Sequence, residues 1–370
     1  MFGKKKDPNE PVKPKSKTRE WFDAILFAVV AATIIRTFLL EAFTIPTPSM
    51  EETLMVGDFL FVSKINYGAR IPQTPLSIPF VHKELLGLQS YSESIKLNYH
   101  RLPGFSHIKN NDIVVFNYPG MPGEPDDTRP VDKKTHYIKR CIGICGDSLK
   151  IIDGAVYVNN KQTVFPKRAQ KIYKVYSNGF MFDEEILRGL DVTNWDMGQF
   201  NDNILMMTPA AALELSQMAN VDSVVSVYQP AQYPDNRIFC FDSLHQYNGD
   251  NFGSVYIPKA GDVVPINVST ISVYRRAITA YEHNTLEERD GKFLINGKEA
   301  NTYQFKMNYY FMMGDNRYNS LDCRYWGFVP EDHVAGKAVF VWLSIDYDAS
   351  ILHKIRWNRM MRFIHWGDTF

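Results

Sequence analysis

The chain has 370 residues, a mass of 42.6 kDa and 45% hydrophobic residues, enough for a large core and more than one domain. Its 41 basic and 41 acidic residues balance, so no overall field favours nucleic acid as a partner. Four cysteines are too few for a disulfide scaffold, and the sequence contains neither Cys-x-x-Cys nor His-Glu-x-x-His. We therefore expect no metal and no other cofactor.

The N-terminal region predicts a membrane anchor. Residues 1–20 carry seven Lys or Arg and no apolar run, which is typical of a disordered cytosolic tail. Residues 21–43 are mostly apolar, and as a helix they would span about 34 Å, against about 30 Å for a bilayer core. Asp23 and Arg36 bracket the uncharged part, so a buried soluble helix or an interfacial helix is the alternative. No small-residue cleavage site follows, which favours an uncleaved anchor with everything after residue 43 outside the cytosol.

The chain after the anchor predicts a mostly β body. Residues 58–64, 113–116 and 136–144 have the apolar pattern of strands, and residues 65–79 and 120–130 have the Pro and Gly content of loops. We assign residues 44–154 to the first part of a catalytic domain and residues 271–348 to its second part.

A region of different composition lies between these parts. We interpret residues 155–270 as a large inserted, mainly β subdomain, with a helix that Thr208 caps and Pro209 opens. Residues 153–161 and 290–298 both have the pattern of strand-turn hairpins. Residues 349–370 form a basic, aromatic tail, for which a membrane-surface patch and a plain surface tail both remain open.

Two residues suggest nucleophilic chemistry. Ser49 follows Thr47 on a loop that two prolines stiffen, and a serine is a poor nucleophile unless a base takes its proton. Lys139 lies in the predicted strand 136–144, where burial would lower its pKa and leave a neutral amine as base. Taken alone, Ser49 also fits an ordinary Ser-Pro turn, and Lys139 also fits a lysine at a strand edge.

Three blocks, residues 45–50, 137–147 and 313–330, follow the anchor in this order. Together they closely resemble the bacterial type I signal peptidases (leader peptidases), which are membrane-bound Ser/Lys endopeptidases. The resemblance covers about residues 20–155 and 270–345 and implies a β-rich body. One position departs from the family, because Tyr318 stands where many members carry Asp, which puts the local charge network in doubt.

The resemblance also implies roles for individual residues. Ser49 would be the nucleophile and Lys139 the general base, and the Ser320 hydroxyl would orient the lysine. The backbone N–H of Ser49 and the Thr47 hydroxyl would form the oxyanion hole. Asp322 and Arg324 would form a structural ion pair beside this site, and Asp315 and Asn316 would be turn residues.

The resemblance implies that the chain removes N-terminal signal peptides from secretory preproteins, after small-x-small (Ala-x-Ala-like) sites. It would do so as a single-pass protein of the inner (cytoplasmic) membrane, with its catalytic domain on the periplasmic side. Membrane lipids would then be partners, and proximity to the secretion translocon stays open. Two rivals remain: a Ser-His-Asp hydrolase with His136 as base, although no Gly-x-Ser-x-Gly motif is present, and an inactive membrane-anchored binding or scaffolding protein of the same fold.

Overall fold

A computed structural model describes residues 16–81, 84–124, 127–178, 184–190, 192, 204–347, 349–351 and 353–364. Most of the predicted cytosolic tail, residues 1–15, therefore lies outside the described residues, as do residues 365–370 and parts of the predicted insertion.

The described chain is mostly β, which confirms the predicted fold class. Its helices are α1 (Lys17–Phe38), α2 (Glu184–Gly189), α3 (Pro209–Ser216), α4 (Ile271–Arg276) and α5 (Cys323–Trp326), with short turns of 3₁₀ helix at Pro48–Met50, Val131–Lys133, Glu331–His333 and Trp357–Arg359 and of π-helix at Ala277–Tyr281. Its strands are β1 (Leu40–Thr44), β2 (Asp58–Ser63), β3 (Glu84–Leu85), β4 (Leu88–Gln89), β5 (Ile113–Asn117), β6 (His136–Gly143), β7 (Ser148–Ile152), β8 (Ala155–Val158), β9 (Lys161–Gln162), β10 (Lys171–Ser177), β11 (Ile204–Met207), β12 (Val221–Val227), β13 (Phe252–Tyr256), β14 (Val263–Pro265), β15 (Leu286–Arg289), β16 (Lys292–Ile295), β17 (Lys298–Glu299), β18 (Thr302–Gln304), β19 (Tyr309–Met313), β20 (Val329–Pro330), β21 (Val334–Ser344) and β22 (Arg362–Phe363).

Helix α1 is long and apolar enough to cross a membrane. Its 22 residues have a mean hydropathy of 1.7 over the most apolar window, and none of them is buried against the body. Ser16 caps its first turn by accepting a hydrogen bond from the Arg19 N–H, and large side chains such as Trp21 and Phe27 are more than two-thirds exposed. Such a helix satisfies its own backbone groups and leaves its apolar side chains for lipid.

The predicted end of the anchor at Phe43 was wrong by five residues. The helix ends at Phe38, and the following residues form β1, which pairs with β2 in the register Leu40↔Ser63 to Thr44↔Phe59. Composition alone does not separate these two apolar segments, since β-strand and helix both accept Leu, Ala and Phe. The distinguishing residue is Glu41, whose buried carboxylate is bound by Arg36 of α1 and Lys64 of the body and would be costly in lipid.

The body is organised around one antiparallel sheet of eight strands. The order is β1-β2-β21-β5-β6-β19-β20, with β22 added to β21. Strand β5 is buried on both faces: Val114 and Phe116 belong to one apolar core, and Ile113 and Val115 belong to another. Because successive strand residues point to opposite faces, this sheet separates two cores and holds its central strands rigidly between them.

Both predicted hairpins and the predicted helix start are confirmed. Strands β8 and β9, and strands β16 and β17, form the expected pairs after their Asp-Gly turns. The Thr208 hydroxyl accepts a hydrogen bond from the Ala211 N–H at the start of α3.

The region predicted as one insertion, residues 155–270, divides into two parts. A separate apolar core is built by β10, β11, β12 and the helices between them. In contrast, Ile238, Phe252 and Ile266 pack into the main core of the body, and β13 pairs with β7. The part with its own core is therefore shorter than the predicted insertion of residues 155–270. The remaining segments carry apolar side chains that pack into the main core.

The C-terminal segment is not a plain surface tail. Strand β22 extends the central sheet, and Arg359 is buried with its Nη2 atom 2.8 Å from Asp58 Oδ2. Asp58 is fully buried and also accepts hydrogen bonds from Ser344 Oγ and the Met55 N–H. A buried carboxylate requires a cation, and the C-terminal segment supplies it.

We predict that Arg359→Met lowers the free energy of unfolding by about 3–5 kcal/mol, because it leaves the Asp58 carboxylate buried without its cation. Urea unfolding of the detergent-solubilised chain measures this. The matched control is Arg289→Met, which removes an exposed partner of Glu287 and should cost less than about 1 kcal/mol. Equal effects of the two substitutions would show that the buried pair does not stabilise the fold.

Candidate active site

Ser49 lies in a 3₁₀ turn at the edge of the central sheet. The turn spans Pro48–Met50, and Thr47 precedes it in an extended conformation. Met50 packs into the core below, and Ser49 is itself only 8% exposed. The flanking prolines fix the backbone, and the buried methionine fixes the position of the turn, so the serine hydroxyl has a defined place.

Lys139 reaches the same place from the middle of β6. Its strand neighbour on β5 is Val114, and its side chain is almost fully buried, with 3% exposure. The Nζ atom lies 2.5 Å from Ser49 Oγ and 3.1 Å from the carbonyl oxygen of Ile138. The structure thus joins two residues that are ninety positions apart in the sequence and that the sequence analysis singled out.

The surroundings of Lys139 raise the fraction of its amine that is neutral. Burial lowers the pKa of the amine to about 8, although the carboxylates of Asp322 and Asp315 act in the opposite direction. Arg324 adds to the lowering as a nearby like charge. Since an ordinary lysine has a pKa of about 10.4, a far larger fraction of Lys139 is neutral near pH 7 than of an exposed lysine. A neutral amine at this distance can accept the serine proton.

The third sequence block forms a wall around the dyad. Its Asn316 N–H donates to the carbonyl oxygen of Ser49 over 3.2 Å. A Cβ atom at Gly314 would lie 2.5 Å from the same carbonyl and would overlap the Ser320 side chain. Gly314 is therefore required because the two segments approach too closely for any other residue.

A buried ion pair beneath this wall was missed by the sequence analysis. Arg140, next to Lys139, binds Asp315 with both arms of its guanidinium, at 2.8 and 2.6 Å. Burial opposes the charge on Asp315, but Arg140 outweighs this effect and keeps the pKa of the carboxyl low. Thr53 Oγ1 donates to the same carboxylate over 2.7 Å, so Asp315 is more than a turn residue. An arginine within a buried strand requires an acidic partner, which is the signal that could have indicated this pair.

The predicted ion pair of Asp322 and Arg324 is formed. Two guanidinium nitrogens of Arg324 lie 2.9 Å from the two oxygens of Asp322, and both residues are buried. The Gly314 N–H also donates to Asp322. Burial raises the pKa of the Asp322 carboxyl, but Arg324 and these donors outweigh burial and lower it. The pair thus holds the loop that carries Gly314 against Ser49.

One predicted contact is not formed. The Ser320 hydroxyl is buried next to Gly314, but within the described part of the chain no group hydrogen-bonds it, so it does not bind Lys139. Thr47 is exposed beside the serine turn and does not cap it. Its hydroxyl is therefore accessible to a bound substrate.

Tyr318, the departure from the family pattern, has a partner that the sequence did not reveal. Its hydroxyl lies 2.9 Å from both carboxylate oxygens of Asp250 and 3.1 Å from the Val227 carbonyl. Asp250 is buried, and its neighbour Gly249 accepts a hydrogen bond from Arg324. The Asp250 carboxylate from the middle region thus lies at this site. Asp250 and Tyr318 are 68 residues apart, and no sequence pattern indicates that they are in contact.

The histidines do not build a Ser-His-Asp site in the described chain. His136 packs its ring edge-on against Phe43, with the ring centroids 4.9 Å apart. Ser272, His245 and Asp242 do cluster, but the serine and the aspartate both lie on the same ring nitrogen, Nδ1. A relay needs one partner on each ring nitrogen, so this cluster cannot pass a proton from serine to aspartate.

Comparison with known proteins agrees with this geometry. The family model "Signal peptidase, peptidase S26" matches residues 18–242 and 254–343. Signal peptidase I of Buchnera aphidicola subsp. Schizaphis graminum is 27% identical over 313 residues, covering 85% of this chain and 71% of that protein. Signal peptidase I of Haemophilus influenzae is 24% identical, covering 92% and 73%. Signal peptidase I of Aquifex aeolicus is 25% identical, covering 86% and 82%.

The match of the family model extends over most of the chain and includes Ser49 and Lys139. The chain therefore belongs to the signal peptidase family, peptidase S26.

Proposed function

We propose that the chain removes signal peptides from secretory preproteins, with Ser49 as nucleophile and Lys139 as general base. The observation that carries this proposal is the 2.5 Å approach of Lys139 Nζ to Ser49 Oγ in a buried environment. Family membership supports a serine endopeptidase. The alternative of an inactive scaffolding protein is not favoured, because both reactive groups are present and in contact.

The reaction would proceed through an acyl-enzyme. Neutral Lys139 takes the proton of Ser49 Oγ, and the oxygen forms a bond to the carbonyl carbon of the scissile peptide. The resulting ammonium then gives its proton to the leaving amine as the peptide C–N bond breaks. Water, deprotonated by the same amine, then bonds to the acyl carbon. The bond from that carbon to Ser49 Oγ breaks, the ammonium returns its proton to Oγ, and the signal peptide is released.

The developing oxyanion would lie beside the serine turn. Ser49 is the second residue of that turn, and N–H groups at a helix start have no carbonyl partner within the helix. The accessible hydroxyl of Thr47 is the candidate second donor. Phe43 on β1 and Ile138, next to Lys139 on β6, are partly exposed, and we assign to these apolar side chains the preference for small-x-small sites.

The enzyme would act at the membrane surface. Helix α1 is the anchor, and the basic residues before it favour a cytosolic N-terminus by the positive-inside rule. We propose the inner (cytoplasmic) membrane, with the body on the periplasmic side, where secreted preproteins emerge. Protease added to spheroplasts should digest the body, and protection of the body with loss of an N-terminal tag would reverse this orientation.

Ser49→Ala should abolish cleavage of a purified preprotein without unfolding the chain, because only a loop hydroxyl is lost. Lys139→Arg should lower kcat/KM about 100-fold or more, since arginine stays protonated and cannot act as base. Cleavage followed by N-terminal sequencing of the product measures both, and circular dichroism checks folding. Lys161→Arg, an exposed site on β9, is the control and should retain full activity. Residual activity above about a tenth in Lys139→Arg would assign the base to another group, such as His136.

Thr47→Val should lower mainly kcat, because a bond to the oxyanion strengthens in the transition state. The loss of one oxyanion donor typically costs about 100-fold to 1,000-fold in rate, and we expect the lower end where a backbone N–H remains. Thr47→Ser keeps the hydroxyl and should retain most of the activity. A Thr47→Val enzyme of near-normal kcat, or a Thr47→Ser enzyme as impaired as the valine variant, would leave Thr47 with a role in loop shape only.

A further inference from the structure

A second cavity, away from the dyad, lies where α1 meets the body. Its volume is about 210 Å³, and neither Ser49 nor Lys139 lines it. Thr33, Arg36 and Thr37 form its wall on the helix, and residues 70–81 and the 3₁₀ turn at Val131–Lys133 form walls on the body. The spacing of the three helix residues places them on one face of the last two turns.

The charges around this cavity are unbalanced. Four cations line it, Arg36, Lys64, Arg70 and Lys133, against two carboxylates, Glu41 and Asp132, with His136 as the remaining titratable group. Arg36 Nε and Lys64 Nζ share one carboxylate, each 2.8 Å from an oxygen of Glu41. Burial opposes the charge on Glu41, but these two cations outweigh it and lower the pKa of the carboxyl to about 2.

The other two cations have no carboxylate partner among the residues that the structure describes. Arg70 donates only to neutral acceptors, the Asp332 backbone carbonyl and Asn117 Oδ1, each at 2.6 Å. Lys133 is 8% exposed, and its Nζ lies over the Tyr91 ring at 5.2 Å from the centroid. Burial lowers the pKa of Lys133, the Asp132 carboxylate opposes this, and the nearby Arg36 cation adds to the lowering. A bound anion would remove this repulsion.

The cavity also contains an unused acceptor. Thr74 donates to Asp132 Oδ2 through both its N–H and its hydroxyl. Asp132 Oδ1 is buried, and no donor within the described chain reaches it.

If α1 spans a membrane, the cavity lies near the end of that span. Thr33 and Phe38, the end of the helix, are separated by about 8 Å along the helix axis. The Arg36 guanidinium lies 5.8 Å from the ring centroid of Phe80, which docks the 70–81 segment against the helix. Leu76, Ile78 and Phe80 on this segment are each about half exposed. With α1 across a bilayer, these apolar side chains and the cationic cavity beside them would lie at the depth of lipid headgroups.

We propose that this cavity binds the phosphodiester headgroup of an anionic membrane phospholipid, with Lys133 as a principal contact. The proposal rests on the proposed function to the extent that α1 must span the membrane. A signal peptide fits the cavity poorly, because its n-region is cationic and its central region apolar, whereas the cavity has an excess of positive charge. A lipid headgroup held here would fix the body relative to the membrane plane.

The test is native mass spectrometry of the detergent-solubilised full chain, with dioleoylphosphatidylglycerol and dioleoylphosphatidylcholine added in equal amounts. Wild type should bind the anionic phosphatidylglycerol preferentially. Lys133→Gln should weaken that binding about fivefold, the effect of one basic residue on an anionic lipid. Lys133→Arg should restore it, since it keeps the charge, and the exposed control Lys161→Gln should bind like wild type. Thermal unfolding of each variant shows whether a loss of binding reflects a loss of fold.

Equal binding of the two lipids, or unchanged binding in a folded Lys133→Gln chain, would overturn the proposal. Displacement of the lipid by millimolar inorganic phosphate would instead assign the cavity to free phosphate and also overturn it. Preprotein cleavage in phosphatidylcholine micelles is measured in parallel, and a raised KM for Lys133→Gln there would assign the cavity to the signal peptide. Failure of wild type to cleave the preprotein would count against the proposed function. The lipid-binding measurement would still decide the lipid proposal by itself.

Discussion

The structure of the site depends on the burial of one lysine amine against one serine hydroxyl. An ammonium at this position would be useless as a base, so the surroundings of Lys139 must favour the uncharged form. Two carboxylates nearby, Asp315 and Asp322, oppose this by attracting a positive charge. Each of them is bound by its own arginine, Arg140 and Arg324, which reduces the attraction that they exert on the lysine. Desolvation therefore dominates, and the pKa of the amine is lowered to about 8.

This arrangement explains why such distant segments are packed together. The serine turn, β6 and the loop after β19 meet because β6 pairs with β19 in the register Met313↔Arg140, which places the following Gly314 beside Ser49. The middle region contributes as well, since Asp250 binds Tyr318 within the same loop. The middle region thus helps to position the wall of the site.

The sequence predicted the mostly β fold, the anchor and the Ser49–Lys139 pair, because each has a local or motif-level signal. It placed the end of α1 too late, since apolar composition does not separate helix from strand at Leu40–Thr44. It did not predict the ion pair of Arg140 and Asp315 or the hydrogen bond of Tyr318 to Asp250. These contacts form only once distant strands are in register. The predicted bond from Ser320 to Lys139 is absent from this structure, and its role stays a proposal.

The proposed role of Lys139 as a base depends on a lowered pKa of its amine, and this pKa can be titrated. Nuclear magnetic resonance of the full chain labelled with ¹⁵N at lysine Nζ would follow the amine, with Lys139→Arg to assign its signal. We predict a pKa of about 8 for Lys139, lowered by burial. A pKa near the ordinary value of about 10.4 would leave only about one amine in several thousand neutral at pH 7, against about one in ten at a pKa of about 8, and would contradict its role as the base.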